Sequence, residues 1–129
     1  METPGIVIVA DDLIWSTRLA DLVRAVGDRP IVVRRMADAQ RALPGARAAI
    51  VDLTSRAYDG VAAVKLAADY GLRVLCVGQH DDHELRKLAL EAGAERVYAY
   101  RLLSERGLET LSRWLSIGHA PAAAGGAEP

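Results

Sequence analysis

Short runs of β-branched and other apolar residues alternate along the chain with longer segments in which apolar positions recur at helical spacing. This alternation predicts parallel strands joined by crossover helices. Five such repeats predict strands over residues 5–10, 31–33, 48–52, 72–77 and 96–99. The segments between them predict helices over residues 13–26, 39–43 and 60–70, a fourth that is capped by Asp81 or Asp82 and ends at Gly93, and a fifth capped by Ser104.

Parallel strands with helical crossovers predict an α/β fold with a doubly wound five-stranded parallel sheet, helices on both faces and strand order 2-1-3-4-5. In such a sheet the carboxyl ends of neighbouring strands share one crevice. The first predicted strand is followed by Asp11 and Asp12, and the third ends in Asp52. We expect these carboxylates to converge at one edge, together with Gly78 and Tyr100 at the ends of the fourth and fifth strands.

The chain has 129 residues, which is the length of one domain. Residues 1–117 carry the apolar periodicity, whereas residues 118–129 are rich in Ala, Gly and Pro and predict a flexible tail or linker. The chain has 16 basic and 17 acidic residues, and the resulting net charge of -1 argues against nonspecific binding to nucleic acid.

The single cysteine, Cys76, lies in the apolar run 74–77, where we expect it to pack as a buried hydrophobe without a disulfide partner. No basic segment followed by an apolar stretch opens the chain. No stretch reaches the roughly 18 to 20 apolar residues that span a bilayer. These features predict a cytoplasmic protein that is neither secreted nor membrane-bound.

Asp11, Asp12 and Asp52 are the main candidates for chemistry. Carboxylate oxygens suit Mg²⁺, and a carboxylate beside a divalent cation suits phosphoryl transfer. Asp11 and Asp12 also have a simpler interpretation as helix caps, since acids are favoured at helix starts. Trp15, which follows this pair, has two interpretations, shielding of the crevice or packing on the first helix, and we favour packing.

Taken together, these positions resemble the receiver domain of two-component response regulators, over residues 5 to about 117. The motifs that carry the resemblance are Asp11-Asp12 as the acidic pair, Asp52 as the phosphoacceptor, Asp59-Gly60 at the start of the third helix, and Gly93-Ala94 before the fifth strand. Each dipeptide alone is common, so the likeness rests on their order and spacing at strand ends. It implies a flavodoxin-like, receiver-like fold.

The resemblance implies that Asp52 accepts a phosphoryl group in a phosphorelay and that the protein is a signalling module, not an enzyme. It also implies that Mg²⁺ is held by Asp11, Asp12, Asp52 and the backbone carbonyl of Thr54. The implied partners are a sensor histidine kinase or phosphotransfer protein, or an output domain or partner protein, with no direct binding of nucleic acid or membrane.

Two departures from the family pattern concern the switch positions. The family ends its fourth strand in Ser or Thr, where this chain has Gly78, and its fifth in Lys before Pro, where this chain has Tyr100 and Arg101. The hydroxyl and the ammonium that contact a phosphoryl group in the family are therefore absent from these positions. Arg56 and Arg101 are candidate replacements, because a guanidinium binds phosphoryl oxygens in a bidentate manner.

These departures favour a second hypothesis, a pseudo-receiver that binds a partner or dimerises without phosphorylation. Its candidate interface is the face of the fourth helix, fifth strand and fifth helix, with Leu85, Arg86, Leu88, Leu103, Arg106 and Trp114. An ordinary mixed helix surface explains the same residues. A flavin or nucleotide enzyme is disfavoured, because the first strand–helix turn has no Gly-rich phosphate loop.

Overall fold

The structure, a computed structural model, describes residues 4–119. Strands and helices alternate along this part of the chain. The strands are β1 (Ile6–Val9), β2 (Pro30–Val33), β3 (Ala48–Asp52), β4 (Arg73–Gly78) and β5 (Arg96–Ala99). The helices are α1 (Leu13–Ala25), α2 (Met36–Ala42), α3 (Gly60–Asp69), α4 (His83–Ala92) and α5 (Tyr100–His119).

The strands form one parallel sheet in the order β2-β1-β3-β4-β5. The predicted fold class, sheet type and strand order are therefore confirmed. In the sheet register, Val9 of β1 pairs with Val51 of β3, and Asp52 pairs with Val77 of β4. The carboxyl ends of these strands consequently meet at one edge, which places the residues that follow them next to each other.

Two apolar layers cover the sheet, because successive strand side chains point to opposite faces. Along β1, Val7 and Val9 belong to the layer that contains buried residues of α2, α3 and α4, whereas Ile6 and Ile8 belong to the layer that contains those of α1 and α5. All four side chains are fully buried, as a parallel sheet covered on both faces requires. Cys76 is a buried free thiol in the first layer, which confirms its predicted role as a hydrophobe.

Outside α2 and α5, the predicted boundaries lie within one residue of those observed. Helix α2 starts at Met36, three residues before its predicted start at 39. Of the two candidate caps for α4, Asp82 takes the role, and its side chain accepts a hydrogen bond from the Leu85 amide at 3.0 Å. These differences leave the position of the sheet edge unchanged.

The prediction that Ser104 caps the last helix is wrong. Helix α5 starts at Tyr100, directly after β5, and Ser104 lies inside it. The Ser104 hydroxyl accepts a hydrogen bond from Arg18 at 3.1 Å, and a serine with such a partner does not have to compete for backbone groups. The helix is interrupted at Arg106, whose φ of -137° and ψ of 35° are not helical. It reaches His119, inside the predicted tail, and residues 120–129 of that tail lie outside the described residues.

Two glycines of the motifs quoted above are required by the backbone. A Cβ atom on Gly60 would lie 2.8 Å from the carbonyl oxygen of Leu53, so α3 can pack directly on the chain that leaves β3 only without a side chain there. Gly93 follows α4 with a φ of +125°, a conformation that favours glycine. Gly60 therefore fixes the path of the chain at the carboxyl edge of the sheet, and Gly93 fixes it at the opposite end, before β5.

Candidate functional site

The carboxyl edge of the sheet forms an open cavity of about 550 Å³. Its walls come from residues that follow or end β1, β3, β4 and β5, and from the first turn of α1. The lining residues are Asp11, Asp12, Trp15, Asp52, Thr54, Arg56, Gln79 and Tyr100. The three acids singled out in the sequence thus line one cavity, in the company of a single arginine among the lining residues.

Asp52 is the last residue of β3, and only 2% of it is exposed. Its Oδ1 accepts hydrogen bonds from the Thr54 amide at 3.2 Å, from the Thr54 hydroxyl at 3.1 Å and from the Tyr100 hydroxyl. A buried charge is tolerated only when it is paired or hydrogen-bonded, and these donors meet that need. They also hold the carboxylate in one orientation at the cavity wall.

Tyr58 supports this edge of the sheet from the buried side. Its hydroxyl lies 2.7 Å from the carbonyl oxygen of Val9 and 2.7 Å from that of Asp52, and it is the donor to both. Burial, followed by the negative charges of Asp52 and Asp11, raises the pKa of Tyr58. The phenol therefore remains protonated and joins the ends of β1 and β3 directly behind the carboxylates.

The acidic pair has a structural role as well as a place at the cavity. The side chain of Asp12 accepts a hydrogen bond from the Trp15 amide at 2.8 Å, and this confirms its interpretation as the cap of α1. Asp12 still lines the cavity. Asp11 is partly buried, and its backbone carbonyl accepts a hydrogen bond of 3.4 Å from Arg34. Capping and cavity lining are therefore compatible functions of one short segment.

Within residues 4–119, no group of three or more His, Cys, Asp or Glu side chains is arranged to hold a metal ion. The donor types nevertheless fit Mg²⁺, which prefers carboxylate and carbonyl oxygens together with water. Two existing hydrogen bonds compete with a cation: Asp12 caps α1, and Asp52 accepts from Tyr100. The residues fit Mg²⁺ by their chemistry, and binding requires that part of this hydrogen bonding gives way.

Tyr100 occupies the side of the cavity next to Asp52. Its hydroxyl is hydrogen-bonded to Asp52 Oδ1 and to Thr54 Oγ1. Its ring packs on that of Trp15, with centroids 4.8 Å apart and planes inclined by 46°. Burial, followed by the hydrogen bond to Asp52, raises the pKa of Tyr100, so the phenol keeps the proton that it donates.

The other switch positions differ in their relation to the cavity. Gly78 ends β4, and a Cβ atom there would meet Leu53 at 3.5 Å, which is an ordinary contact. The space therefore accepts a side chain that this chain does not supply. Arg56 lines the cavity, whereas Arg101 is absent from the lining, and its side chain is 85% exposed and paired with Glu105 at 3.0 Å.

Two of the candidate interface residues belong to the core. Leu103 and Trp114 are 4% and 3% exposed and pack between the sheet and α1, so the prediction that they anchor a surface contact is wrong. The apolar period of α5 marks its buried stripe. Trp114 also donates from its indole nitrogen to Glu95 at 2.8 Å, and the Arg73 guanidinium lies 4.7 Å from its ring centroid.

The remaining candidates lie at the surface to different degrees. Leu88 is 41% exposed, Arg86 and Arg106 are exposed, and Leu85 is partly buried against the core. Arg86 also donates to the carbonyl of Val97 at 2.5 Å, which ties α4 to β5. We define the α4–α5 surface as Leu85, Arg86 and Leu88 of α4 together with Arg106 of α5.

Two lining residues were not assigned to the site from the sequence. Trp15, for which packing on α1 was favoured over shielding of the crevice, lines the cavity. The signal for it is its position three residues after Asp12, in the helical turn that begins at the sheet edge. Gln79 follows the last residue of β4, and residues after strand ends were the general signal for this site.

No protein-family model matches the chain, and no curated protein matches it. Solved structures do match, and many of them are receiver domains. A CheY-like response regulator receiver domain protein from Methanospirillum hungatei superposes with a TM-score of 0.77 at 16% identity, over 92% of this chain and 98% of that chain.

Two further neighbours carry ions. The receiver domain of a sensor histidine kinase from Pseudomonas aeruginosa, with a magnesium ion in its active site cleft, has a TM-score of 0.72 at 20% identity, over 89% of this chain and 99% of that chain. A response regulator from Burkholderia pseudomallei, with a phosphorylated aspartic acid, a calcium ion and citrate, has a TM-score of 0.71 at 15% identity. That alignment covers 84% of this chain and only 64% of the Burkholderia chain.

These comparisons show that the chain has the α/β fold of CheY-like receiver domains, over most of its length. At such low identities, they establish the fold. None of the helices in the described part of the chain is long and apolar enough to cross a membrane.

Proposed function

We propose that this protein is an atypical receiver module of two-component signalling and that Asp52 is its phosphoacceptor. The observation that carries the proposal is the position of Asp52, a buried carboxylate at the end of β3 in a cavity lined also by Asp11, Asp12 and Arg56. The receiver fold supports it, and one structural neighbour is described with a phosphorylated aspartic acid. The partner would be a protein that carries phosphohistidine.

In the proposed reaction, an oxygen of Asp52 forms a bond to phosphorus while the phosphorus–nitrogen bond of phosphohistidine breaks, and the departing imidazole takes up a proton. Within the described residues, the hydrogen bonds that Asp52 accepts from side chains and amides fall on Oδ1. This leaves Oδ2 as the attacking oxygen. The Thr54 amide and hydroxyl keep the carboxylate oriented during the attack.

Asp11, Asp12, Asp52 and the Thr54 carbonyl would hold Mg²⁺, which when bound offsets negative charge on phosphoryl oxygens. The guanidinium of Arg56 lines the same cavity and can bind two phosphoryl oxygens at once. We assign to Arg56 the charge neutralisation that Tyr100 and the solvent-facing Arg101 do not supply.

The test is incubation of the purified protein with Mg²⁺ and acetyl phosphate, followed by intact mass measurement. We expect one added phosphoryl group on the wild type, none on Asp52→Asn, and full labelling of Asp59→Asn. Asp59 is a matched control, because it is an aspartate that caps α3 and is not part of the cavity lining. An unlabelled wild type, under conditions that label a typical receiver, contradicts the proposal, as does undiminished labelling of Asp52→Asn.

A second candidate is a pseudo-receiver that binds a partner or a second copy of the chain without phosphoryl chemistry. Two observations favour it: Gly78 supplies no hydroxyl at the end of β4, and Oδ1 of Asp52 is already hydrogen-bonded by Tyr100. On this hypothesis, the α4–α5 surface makes the contact. Sedimentation equilibrium tests whether the protein forms a dimer. If it does, we expect Leu88→Glu to abolish self-association and Asp52→Asn to preserve it. A wild type that stays monomeric at all concentrations contradicts dimerisation.

A further inference from the structure

We propose that Tyr100 controls access to Asp52: with its hydroxyl on Oδ1 and its ring on Trp15, it keeps the carboxylate closed to a divalent cation. For its consequence in phosphorylation, this inference rests on the function proposed above. The control of cation access can be measured by itself.

The first step of the argument is the hydrogen bonding around Oδ1. Three polar atoms lie within hydrogen-bonding distance of this oxygen, two from Thr54 and one from Tyr100. The Thr54 and Tyr100 hydroxyls also contact each other, so their two protons serve three contacts. An sp² oxygen offers two lone pairs, and the Thr54 amide and the Tyr100 hydroxyl occupy both of them on Oδ1, while the Thr54 hydroxyl can donate to Tyr100 instead. The two Thr54 donors belong to the loop that starts at Asp52 itself, whereas Tyr100 comes from another element. Tyr100 is therefore the donor that can leave without unfolding the loop.

The second step concerns what holds the Tyr100 ring in place. The ring contacts Trp15 of α1, and the Arg18 guanidinium lies 5.5 Å from the Trp15 ring centroid. Arg18 also donates to Ser104 at 3.1 Å, which ties α1 to the first segment of α5. The phenol is thus fixed at both ends, by its hydroxyl in the cavity and by its ring against α1. We call this arrangement, with the Tyr100 hydroxyl on Asp52 and its ring on Trp15, the closed arrangement.

The third step is how a displacement of Tyr100 can be observed. Tyr100 is the first residue of α5 and directly follows Ala99, the last residue of β5. A cation that takes Oδ1 displaces the phenol, and the displaced phenol changes its contact with Trp15. The indole at the cavity wall therefore reports on the arrangement, and Trp114, at the opposite end of the sheet and hydrogen-bonded to Glu95, does not.

The experiment compares the wild type with Tyr100→Phe, which removes the hydroxyl and keeps the ring. Tyr98→Phe is the matched control: Tyr98 lies two residues earlier, on β5, and lines a separate cavity with Arg73 and Trp114. Each protein is titrated with MgCl₂ while tryptophan fluorescence is recorded, and Trp15→Phe identifies the source of the signal. We expect Tyr100→Phe to bind Mg²⁺ about tenfold more tightly, the factor that a single hydrogen bond to a charged group supplies.

A second measurement needs no cation. The Thr54 amide belongs to the same hydrogen-bonded group as the Tyr100 hydroxyl, so its hydrogen exchange in native protein reports on the closed arrangement. We expect exchange at Thr54 to accelerate several-fold in Tyr100→Phe and to stay unchanged in Tyr98→Phe. Circular dichroism confirms that each variant is folded before the comparison.

The outcomes separate this inference from the phosphoacceptor proposal. Equal Mg²⁺ affinity in Tyr100→Phe and wild type, or no binding by either, overturns the control of access, as does unchanged exchange at Thr54. If acetyl phosphate labels both at one rate, Asp52 is an acceptor and Tyr100 does not control it. If neither is labelled while Tyr100→Phe binds Mg²⁺ more tightly and Thr54 exchanges faster, Tyr100 controls the site and the phosphoacceptor proposal fails.

Discussion

Replacement of Tyr58 by phenylalanine removes one hydroxyl from beneath the site and keeps the aromatic ring. Tyr58 is 8% exposed, and its hydroxyl lies 2.7 Å from two carbonyl oxygens, those of Val9 and Asp52. Since the ring remains, no cavity of consequence forms, and the loss is confined to hydrogen bonding. The substitution therefore measures how much this one group contributes to joining β1 and β3 at the sheet edge.

The expected loss follows from the burial of the carbonyl groups. A typical protein hydrogen bond contributes about 1 kcal/mol, whereas a buried acceptor left without its donor costs about 1–3 kcal/mol. One hydroxyl proton serves two carbonyls in this structure, so we do not count two full hydrogen bonds. We expect Tyr58→Phe to lower the free energy of unfolding by about 1–3 kcal/mol, a large part of the stability of a small domain.

The assay is urea unfolding monitored by far-ultraviolet circular dichroism. Tyr70→Phe is the matched control, because Tyr70 is 46% exposed, and we expect a change within about 0.5 kcal/mol for a surface position. The urea dependence of unfolding should be equal in all three proteins, because the buried area is unchanged. If Tyr58→Phe falls within the range of the control, the hydroxyl does not support the sheet edge and the reasoning is refuted.

Three further predictions concern other parts of the fold. A Cβ atom on Gly60 would come within 2.8 Å of Leu53 backbone oxygen, so Gly60→Ala should cost about 1–3 kcal/mol in the same assay. The hydrogen bond from Arg73 holds the pKa of Glu95 below its usual range, so its contribution is present at neutral pH and is lost as the pH falls through that lowered value. Glu95→Gln should therefore lose about 1 kcal/mol near pH 7, a figure reduced for the exposure of the pair, and the difference from wild type should vanish in acid. Burial raises the pKa of Cys76 to about 12, so a thiol reagent at neutral pH should modify it only when denaturant unfolds the chain; rapid reaction of the folded protein would contradict its burial.

The fold could be predicted from the sequence because its signals are local and repeated. The apolar run 48–52 and the helical period that follows Gly60 need only strand and helix geometry to be recognised, and the strand order follows from the rules for parallel sheets. Ser104 misled the prediction because a serine indicates a cap only when its hydroxyl serves the backbone. Its partner, Arg18, is 86 positions away, and only the folded chain brings them together.

In the candidate site, too, the features set by strand topology could be predicted, and those set by contacts between distant side chains could not. Asp11, Asp12 and Asp52 could be placed in one cavity because strand ends converge by topology. Whether Tyr100 forms a hydrogen bond toward the crevice or points outward could not be decided from the sequence, because the contact with Asp52 depends on a side-chain orientation across 48 residues. Leu103 and Trp114 failed as surface anchors for a related reason: a periodic apolar stripe does not say whether the sheet or the solvent lies opposite it.

The interruption of α5 at Arg106 gives the two ends of that helix different attachments. Residues 100–105 start in the cavity through Tyr100, whereas the following segment is anchored by Trp114 to Glu95 at the opposite end of the sheet. A displacement that begins at Asp52 can therefore end at Arg106, within less than two helical turns, and it involves the buried side chain of Leu103. If Tyr100 leaves Asp52 as proposed above, the surface that changes is accordingly that of residues 100–105 and their neighbours on α1.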